Sequence, residues 1–312
     1  MRKILVTGGA GFIASSLAEK LISDPENFVV IVDNLLTGKK KRLPKTKNQD
    51  NWKFIKCDVN ILEDISPLMV SYSFDYVFHY AAVVGVQRTL ENPVMVLNDI
   101  EGIKNILNLS KNTGVKRVFY ASSSEVYGEP TTLPQNEYTT PLNSRLPYAV
   151  VKNIGEAFCR SYKKEYNLDY TIFRFFNTYG PKQSIDFVMS RFIRMALKNE
   201  DITIYGDGTQ TRTFCYIDDN IQATTNTLYN SKCVNDIVNI GSDIEISVKE
   251  LAEKIIEFTN SKSKIVHLPP LQEGDMKRRV PDISKMKELM GQELISLEEG
   301  VKMVVEKSFF VK

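Results

Sequence analysis

Short apolar runs alternate with stretches of helical spacing through the first 175 residues of the chain. Lys3-Ile4-Leu5, Phe28–Val32, Trp52–Cys57, Tyr76–Tyr80, Arg117–Ala121 and Asp169–Phe175 read as strands, while Ser15–Ile22 and Ile100–Asn112 repeat their apolar residues at helical intervals. Repeated strand–helix units with short apolar strands predict a parallel sheet covered on both faces. After Phe175 the rhythm loosens, and Gly206-Asp207-Gly208, Pro269-Pro270 and Pro281 mark turns and short elements. The expected fold class is therefore α/β, a doubly wound parallel sheet with a smaller C-terminal α/β substrate-binding domain. The division is expected at 180/181, giving domains 1–180 and 181–312, with some segments after 210 returning to the first. No internal repeat or low-complexity tract interrupts this pattern.

Candidate chemistry begins at the first strand. Val6-Thr7-Gly8-Gly9-Ala10-Gly11-Phe12-Ile13-Ala14 links it to the first helical stretch. A strand, a Gly-rich turn and a helix in that order present unpaired N–H groups and the positive end of a helix dipole to a pyrophosphate. Any tight strand–helix turn also favours glycine, so the turn alone does not decide. The second apolar run ends in Asp33, about 20 residues on, where a carboxylate accepts from the adenosine ribose hydroxyls and repels a 2′-phosphate. Gly8, Gly11, Phe12, Ile13 and Asp33 are accordingly candidate dinucleotide contacts, and NAD is preferred over NADP. Lys39, Lys40, Lys41 and Arg42 offer charge for a 2′-phosphate, or read as a solvated face.

Composition narrows little else. Forty basic against 38 acidic side chains leave a net charge of +2, which gives no reason to invoke nucleic acid or a membrane surface as partner. Cys57, Cys159, Cys215 and Cys233 lack metal-ligand spacing and read as buried thiols of a reducing compartment. No apolar stretch is long enough to span a bilayer and the N-terminal run lacks signal-peptide character, so a cytoplasmic protein is expected. His79 and His267 form no cluster, and no metal site is expected.

Tyr148 and Lys152 stand at i and i+4, on one face of a helix. An ammonium there lowers the phenol pKa from its free value of about 10, making a general base for an alcohol. Tyr-x-x-x-Lys also arises by chance as an exposed aromatic and a solvated lysine. Ser122-Ser123-Ser124-Glu125-Val126-Tyr127-Gly128, at the end of the fifth strand, adds hydroxyls for the same substrate oxygen, or is a serine-rich turn.

Taken in order, Thr7–Ala14, Asp33, Asp58-Val59, His79–Ala82, Ser122–Gly128, Tyr148 with Lys152, Arg174–Pro181, Thr211–Phe214 and Arg279–Ile283 resemble the extended short-chain dehydrogenases that modify nucleotide sugars, the NAD-dependent epimerase/dehydratases. The resemblance covers nearly the whole chain. It implies a Rossmann-type NAD domain and a sugar-nucleotide domain. It implies that Tyr148 takes the proton of the sugar 4-hydroxyl, Ser123 orients that oxygen, and Lys152 holds the cofactor ribose. Asn34 would contact the cofactor, Thr37 and Gly38 would flank the adenosine ribose, Asp58 and Val59 the adenine, and Ala81 and Ala82 the path of the dinucleotide. Asn177 and Arg212 would grip the substrate diphosphate; otherwise Asp58 caps the helix starting near Ile61 and Arg212 pairs with Asp207. Asp99 departs from the asparagine usual in relatives.

The 4-ketone formed in this way can lose carbon dioxide, lose water or be reduced from the other face. Ser123-Ser124-Glu125 looks like the Thr-Ser-Glu of UDP-glucuronate decarboxylases and of GDP-mannose 4,6-dehydratases, with Glu125 as a further catalytic residue, and Arg279 resembles the decarboxylase arginine near a sugar carboxylate, unless it is a surface cation. Val83–Pro93, which contains Arg88 as a further substrate contact, is closer to dehydratases and epimerases. Decarboxylation of a UDP-sugar acid is the favoured expectation, with 4,6-dehydration and 4-epimerisation as alternatives and a non-catalytic NAD or sugar-nucleotide binder as a remote one. A homodimer is expected through helices Ile100–Asn112 and Tyr148–Tyr166, although Ile103 and Ile106 equally suit the monomer's own sheet.

Overall fold

The computed structural model describes residues 1–45, 50–269 and 278–307. The apolar runs become β1 (Arg2–Thr7), β2 (Asn27–Asp33), β3 (Trp52–Lys56), β4 (Tyr76–His79), β5 (Arg117–Ser123) and β6 (Asp169–Phe175). Between them lie α1 (Phe12–Ile22), α2 (Leu62–Tyr72), α3 (Val86–Glu91), α4 (Pro93–Leu97), α5 (Asp99–Thr113) and α6 (Pro147–Tyr166). Beyond Phe175 the chain is more regular than its turn residues suggest. It forms β7 (Thr178–Tyr179), α7 (Val188–Leu197), β8 (Ile202–Tyr205), β9 (Thr211–Thr213), β10 (Cys215–Tyr216) and α8 (Ile217–Tyr229). There follow β11 (Asp236–Ile240), β12 (Glu245–Ser247), α9 (Val248–Phe258), β13 (Ile265–Leu268), α10 (Ser284–Met290) and α11 (Leu297–Lys307).

Seven strands form one sheet in the order β11-β6-β5-β4-β1-β2-β3. β1 pairs in parallel with both β2 and β4, and β4, β5 and β6 continue the parallel register. The chain thus builds outward from β1 in one direction and then returns to build in the other. The carboxyl ends of β1 and β4 flank the crevice where such a reversal leaves room for a ligand. Val29 to Val32 are all fully buried, as a strand covered on both faces requires.

The chain divides into two compact units. The first comprises Met1–Val126, Ser144–Phe175 and Ile221–Val238, and the second Tyr127–Asn143, Phe176–Asn220 and Asn239–Lys312. In the first, Leu5, Val30, Val77, Val118 and Ile172 of the sheet pack with Ile65, Met69, Ile106 and Val151 of the helices. Ile103 and Ile106 are buried in this core, so they serve their own sheet. In the second, Met189, Phe192, Ile204, Leu251, Ile255 and Val301 are buried. Ser247 and Glu250 form a reciprocal capping box that starts α9.

α6 lies close on β5. A Cβ added at Gly155 would stand 2.2 Å from the Tyr120 hydroxyl oxygen, and Tyr120 is 1% exposed, so the ring has nowhere to go. Gly155→Ala is therefore expected to destabilise the protein by about 1–3 kcal/mol, the usual cost of overpacking a core. A urea midpoint equal to that of the wild type would show that α6 can lift off β5 freely.

Candidate functional site

The Gly-rich turn is a backbone-on-backbone contact. Gly8 has φ +67°, and an added Cβ would lie 2.7 Å from Ala81 Cα, so only glycine serves. Thr7 Oγ1 accepts from the backbone N of Tyr80 and Ala81, each at 3.1 Å, tying the ends of β1 and β4 together. The same hydroxyl stands 2.9 Å from His79 Nδ1. With two donors already on its oxygen, it donates to Nδ1, which places the imidazole proton on Nε2. α1 begins at Gly11 with no side-chain cap, leaving its first N–H groups to a ligand. These features fit the pyrophosphate of a dinucleotide.

Asp33 lies at the end of β2. Its Oδ2 accepts from Ala10 N at 2.9 Å and its Oδ1 from Leu35 N at 2.7 Å. Burial pushes its pKa up, opposed by those two bonds and by the charge of Arg42. Arg42 is thus a buried countercharge to Asp33 rather than part of a solvated face, whereas Lys39, Lys40 and Lys41 are exposed. Gly38 lies against the Asp33 carboxylate, with an added Cβ 2.5 Å from Oδ1. Thr37 is half-buried beside it in sequence. Asn34 Nδ2 donates to Asp58 Oδ2 at 2.9 Å, joining two further predicted contacts. Asp58 does not cap α2 with its side chain; its Oδ1 accepts from Asn60 N at 3.0 Å, and Val59 is buried next to it.

After β4 the chain passes through Ala81 and Ala82 to Val83, whose N donates to Asp99 Oδ2 at 2.7 Å. Burial raises the Asp99 pKa, and the charge of Lys152 lowers it. The aspartate therefore holds the loop after β4 to the start of α5. Arg88, on α3, donates from Nη1 to Val84 O at 2.7 Å within that loop.

Ser123, Glu125, Tyr148 and Lys152 all belong to the first unit. Ser123 ends β5 and Glu125 follows in a single 3-10 turn, with Glu125 N donating to Ser123 Oγ at 3.2 Å. Tyr148 opens α6, and the Ser123 hydroxyl acts on its phenol in favour of the ionised form. Lys152 is 4% exposed; its Nζ donates to Ala121 O at 2.7 Å and lies 5.7 Å from the Tyr148 ring centroid. Burial pushes the lysine down to about 8, with Asp99 opposing. The expected lowering of the Tyr148 pKa is not found here. Burial raises it above the usual phenol range and the Glu125 carboxylate adds to the rise, while the Ser123 hydroxyl opposes both. The physical reason is desolvation, which penalises the ionised phenol most, while the Lys152 ammonium is directed at the Ala121 carbonyl.

Glu156 and Arg174 carry no role from the sequence, and the Ser122 hydroxyl, expected at the substrate oxygen, turns to Glu156 instead. They form a buried network under α6, with Ser122 Oγ 2.6 Å from Glu156 Oε1 and Arg174 Nη2 2.7 Å from Oε2. The available signal was Glu156 at i+8 from Tyr148, on the same helix face.

Asn177, Arg212 and Arg279 belong to the second unit. Asn177 Nδ2 donates to Thr213 O at 3.2 Å. Arg212 sits on β9 opposite Ile246 of β12, and its Nη1 donates to Thr211 O at 2.7 Å. Asp207, its suggested partner, accepts instead from Thr209 N and Thr209 Oγ1. Arg279 is 7% exposed, which excludes a surface cation; its neighbour Arg278 is the exposed one and makes a two-point pair with Glu245 at 2.6 and 2.7 Å. Among the described residues no His, Cys, Asp or Glu cluster could hold a metal, and no helix is long and apolar enough to cross a membrane. Cys57, Cys159 and Cys215 are buried free thiols, whereas Cys233 is half-buried.

A glycine cradle at a sheet reversal, beside a tyrosine, a serine and a lysine at the next strand end, defines a dinucleotide-dependent enzyme of the Rossmann-type α/β class. Residues 4–241 match the model of the NAD dependent epimerase/dehydratase family, and the chain belongs to that family. It is 38% identical to the UDP-N-acetyl-alpha-D-glucosaminuronate decarboxylase of Bacillus cytotoxicus, over 98% of this chain and 97% of that protein. It is 36% identical to UDP-glucuronic acid decarboxylase 1 of Danio rerio, over 98% of this chain and 72% of that protein. The crystal structure of the UDP-glucose 4-epimerase of Thermotoga maritima with UDP-glucose superposes with a TM-score of 0.91 at 33% identity, covering 98% of each chain. NAD is accordingly the cofactor.

Burial pushes His79 down to about 3, with Lys152's charge adding to the effect. The unfolded chain takes up this proton near pH 6.5 and the folded chain does not, so stability falls as pH drops from about 6.5 to about 3. His79→Asn, which keeps an acceptor for Thr7, is expected to lose less stability over that window than the wild type. Identical acid-side slopes in urea titrations would show that the folded imidazole takes up its proton as readily as the unfolded chain.

Proposed function

We propose that this enzyme oxidises C4 of the sugar in a UDP-linked hexuronate and decarboxylates the resulting 4-ketone. The observation that carries the reading is Lys152, buried on α6 with its Nζ on the Ala121 carbonyl of β5, one helical turn on from Tyr148 and beside the strand end that carries Ser123. The first unit would hold NAD through Gly8, Gly11, Phe12, Ile13, Asp33, Asn34, Thr37, Gly38, Asp58, Val59, Ala81 and Ala82. The second would supply Asn177, Arg212 and Arg279 to the nucleotide sugar, with Arg88 from the loop after β4. When bound, NAD supplies the acceptor for the C4 hydride and afterwards returns it, so the net reaction is redox-neutral.

Tyr148 takes the C4 hydroxyl proton while Ser123 orients the oxygen. Burial and the Glu125 carboxylate hold the phenol above its ordinary range, and a bound NAD would supply positive charge that favours the phenolate. The product is a β-keto acid, whose C5–carboxylate bond breaks to release carbon dioxide and leave an enolate. Glu125 manages the proton that C5 then receives, and Arg279 holds the carboxylate before it leaves. Support comes from the likeness to two UDP-hexuronate decarboxylases over nearly the full chain.

A second reading, 4-epimerisation, draws on the likeness to the Thermotoga UDP-glucose 4-epimerase; it needs the same first step but no carboxylate chemistry. The homodimer and the cytoplasmic setting belong to the same proposal, and light scattering tests the former. Incubation with UDP-glucuronate, UDP-N-acetylglucosaminuronate and UDP-glucose, read by mass spectrometry after chromatographic separation of the epimers, decides the outcome. Loss of a carboxyl from an acid sugar supports the proposal; acids left untouched while UDP-glucose isomerises overturn it in favour of the epimerase. Tyr148→Phe is expected to retain NAD and lose about 10²–10⁴ in kcat.

A further inference from the structure

Helix α6 meets β5 residue by residue. Gly155 rests on the Tyr120 ring, Lys152 Nζ donates to Ala121 O, and Ser122 Oγ donates to Glu156 Oε1, with Tyr148 at the head of the helix and Ser123 at the end of the strand. Tyr148, Lys152 and Glu156 recur every fourth residue and share one face of the helix. Ser122 stands in register with Arg174 on β6, and Arg174 completes the clamp. Its Nε lies 2.9 Å from Glu156 Oε1 and its Nη2 2.7 Å from Oε2. Glu156 is 0% and Arg174 2% exposed, whereas the outer partner Arg160 reaches Oε2 only at 3.4 Å.

Apolar contacts let a helix slide and roll by fractions of an ångström at little cost. A two-point guanidinium–carboxylate pair does not, because its donors and acceptors are planar and fixed in direction. Here the carboxylate is held from two paired strands at once, which fixes both the roll and the axial height of α6. A rigid helix carries that placement two turns back to Tyr148.

We propose that Glu156, clamped by Ser122 and Arg174, is a positioning residue that delivers Tyr148 to the Ser123 hydroxyl for the proton-transfer step. The inference deepens the reading of Tyr148 as the base and rests on it. The test uses the NAD-loaded enzyme with Glu156→Gln, which sets an amide donor against a guanidinium donor, and Ser122→Ala, which removes one bond and leaves the ion pair intact. Single-turnover reduction of bound NAD by UDP-glucuronate is expected to slow about tenfold to a hundredfold in Glu156→Gln and less in Ser122→Ala, the scale of a misplacement near one ångström. NAD content and KM are expected to stay within about twofold, since binding groups are untouched.

Folded variants that reduce NAD at the wild-type rate overturn the proposal, and if Glu156→Gln fails to fold, Ser122→Ala decides alone. A second readout needs no turnover. The fluorine-19 resonance of a fluorotyrosine placed at position 148 is expected to move in Ser122→Ala; an unmoved resonance overturns the positioning role. A wild-type enzyme that reduces no NAD with any UDP-sugar defeats the functional reading, and the fluorine resonance still decides the clamp.

Discussion

A carboxylate taken fully out of water on the helix that carries the tyrosine and lysine commits this fold to one geometry. Glu156 is tolerable at 0% exposure only because Ser122 and Arg174 bring donors to both of its oxygens. Those donors come from neighbouring strands in register, so the pairing of β5 with β6 is a precondition for docking α6. The lysine has a similar dependence. Its burial is compensated by the bond to the Ala121 carbonyl of β5.

The crevice at the sheet reversal follows a different rule, close approach of main chain to main chain. Gly8 touches the Ala81 backbone, and Thr7 brings two backbone donors of the β4 end onto one hydroxyl. Asp33 spends each oxygen on a backbone N–H of the loops beside it, so its orientation exists before any ribose arrives. The cost of burying it is offset by those bonds and by Arg42. Preorganisation of this sort lets a ligand bind without paying to order the loop.

The second unit has its own polar centre. Asn239 Nδ2 donates to the carbonyls of Gln135 and Asp282, its Oδ1 accepts from the Tyr127 hydroxyl, and its N donates to Glu137 Oε1. One amide side chain thereby joins Tyr127–Asn143 to the segment that carries Arg279. Burial of Glu137 in this arrangement raises its pKa, with the Asn239 bond opposing.

Local chemistry was legible along the chain. Apolar runs between turn residues located β1 to β6 to within a residue or two, because strands of a helix-covered sheet are mostly apolar, and the glycine turn marked the cofactor end because only glycine takes Gly8's backbone angle against Ala81. The Tyr148–Lys152 spacing placed both on one helix face by helical geometry alone. The tertiary structure decided what those residues experience. It directs Lys152 to Ala121 instead of the phenol, raises Tyr148 rather than lowering it, turns Arg42 and Arg279 inward, and closes Glu156 onto residues of two strands. Burial, and with it the dielectric and partner of each charge, is a property of the packed assembly, and no window of neighbouring residues contains it.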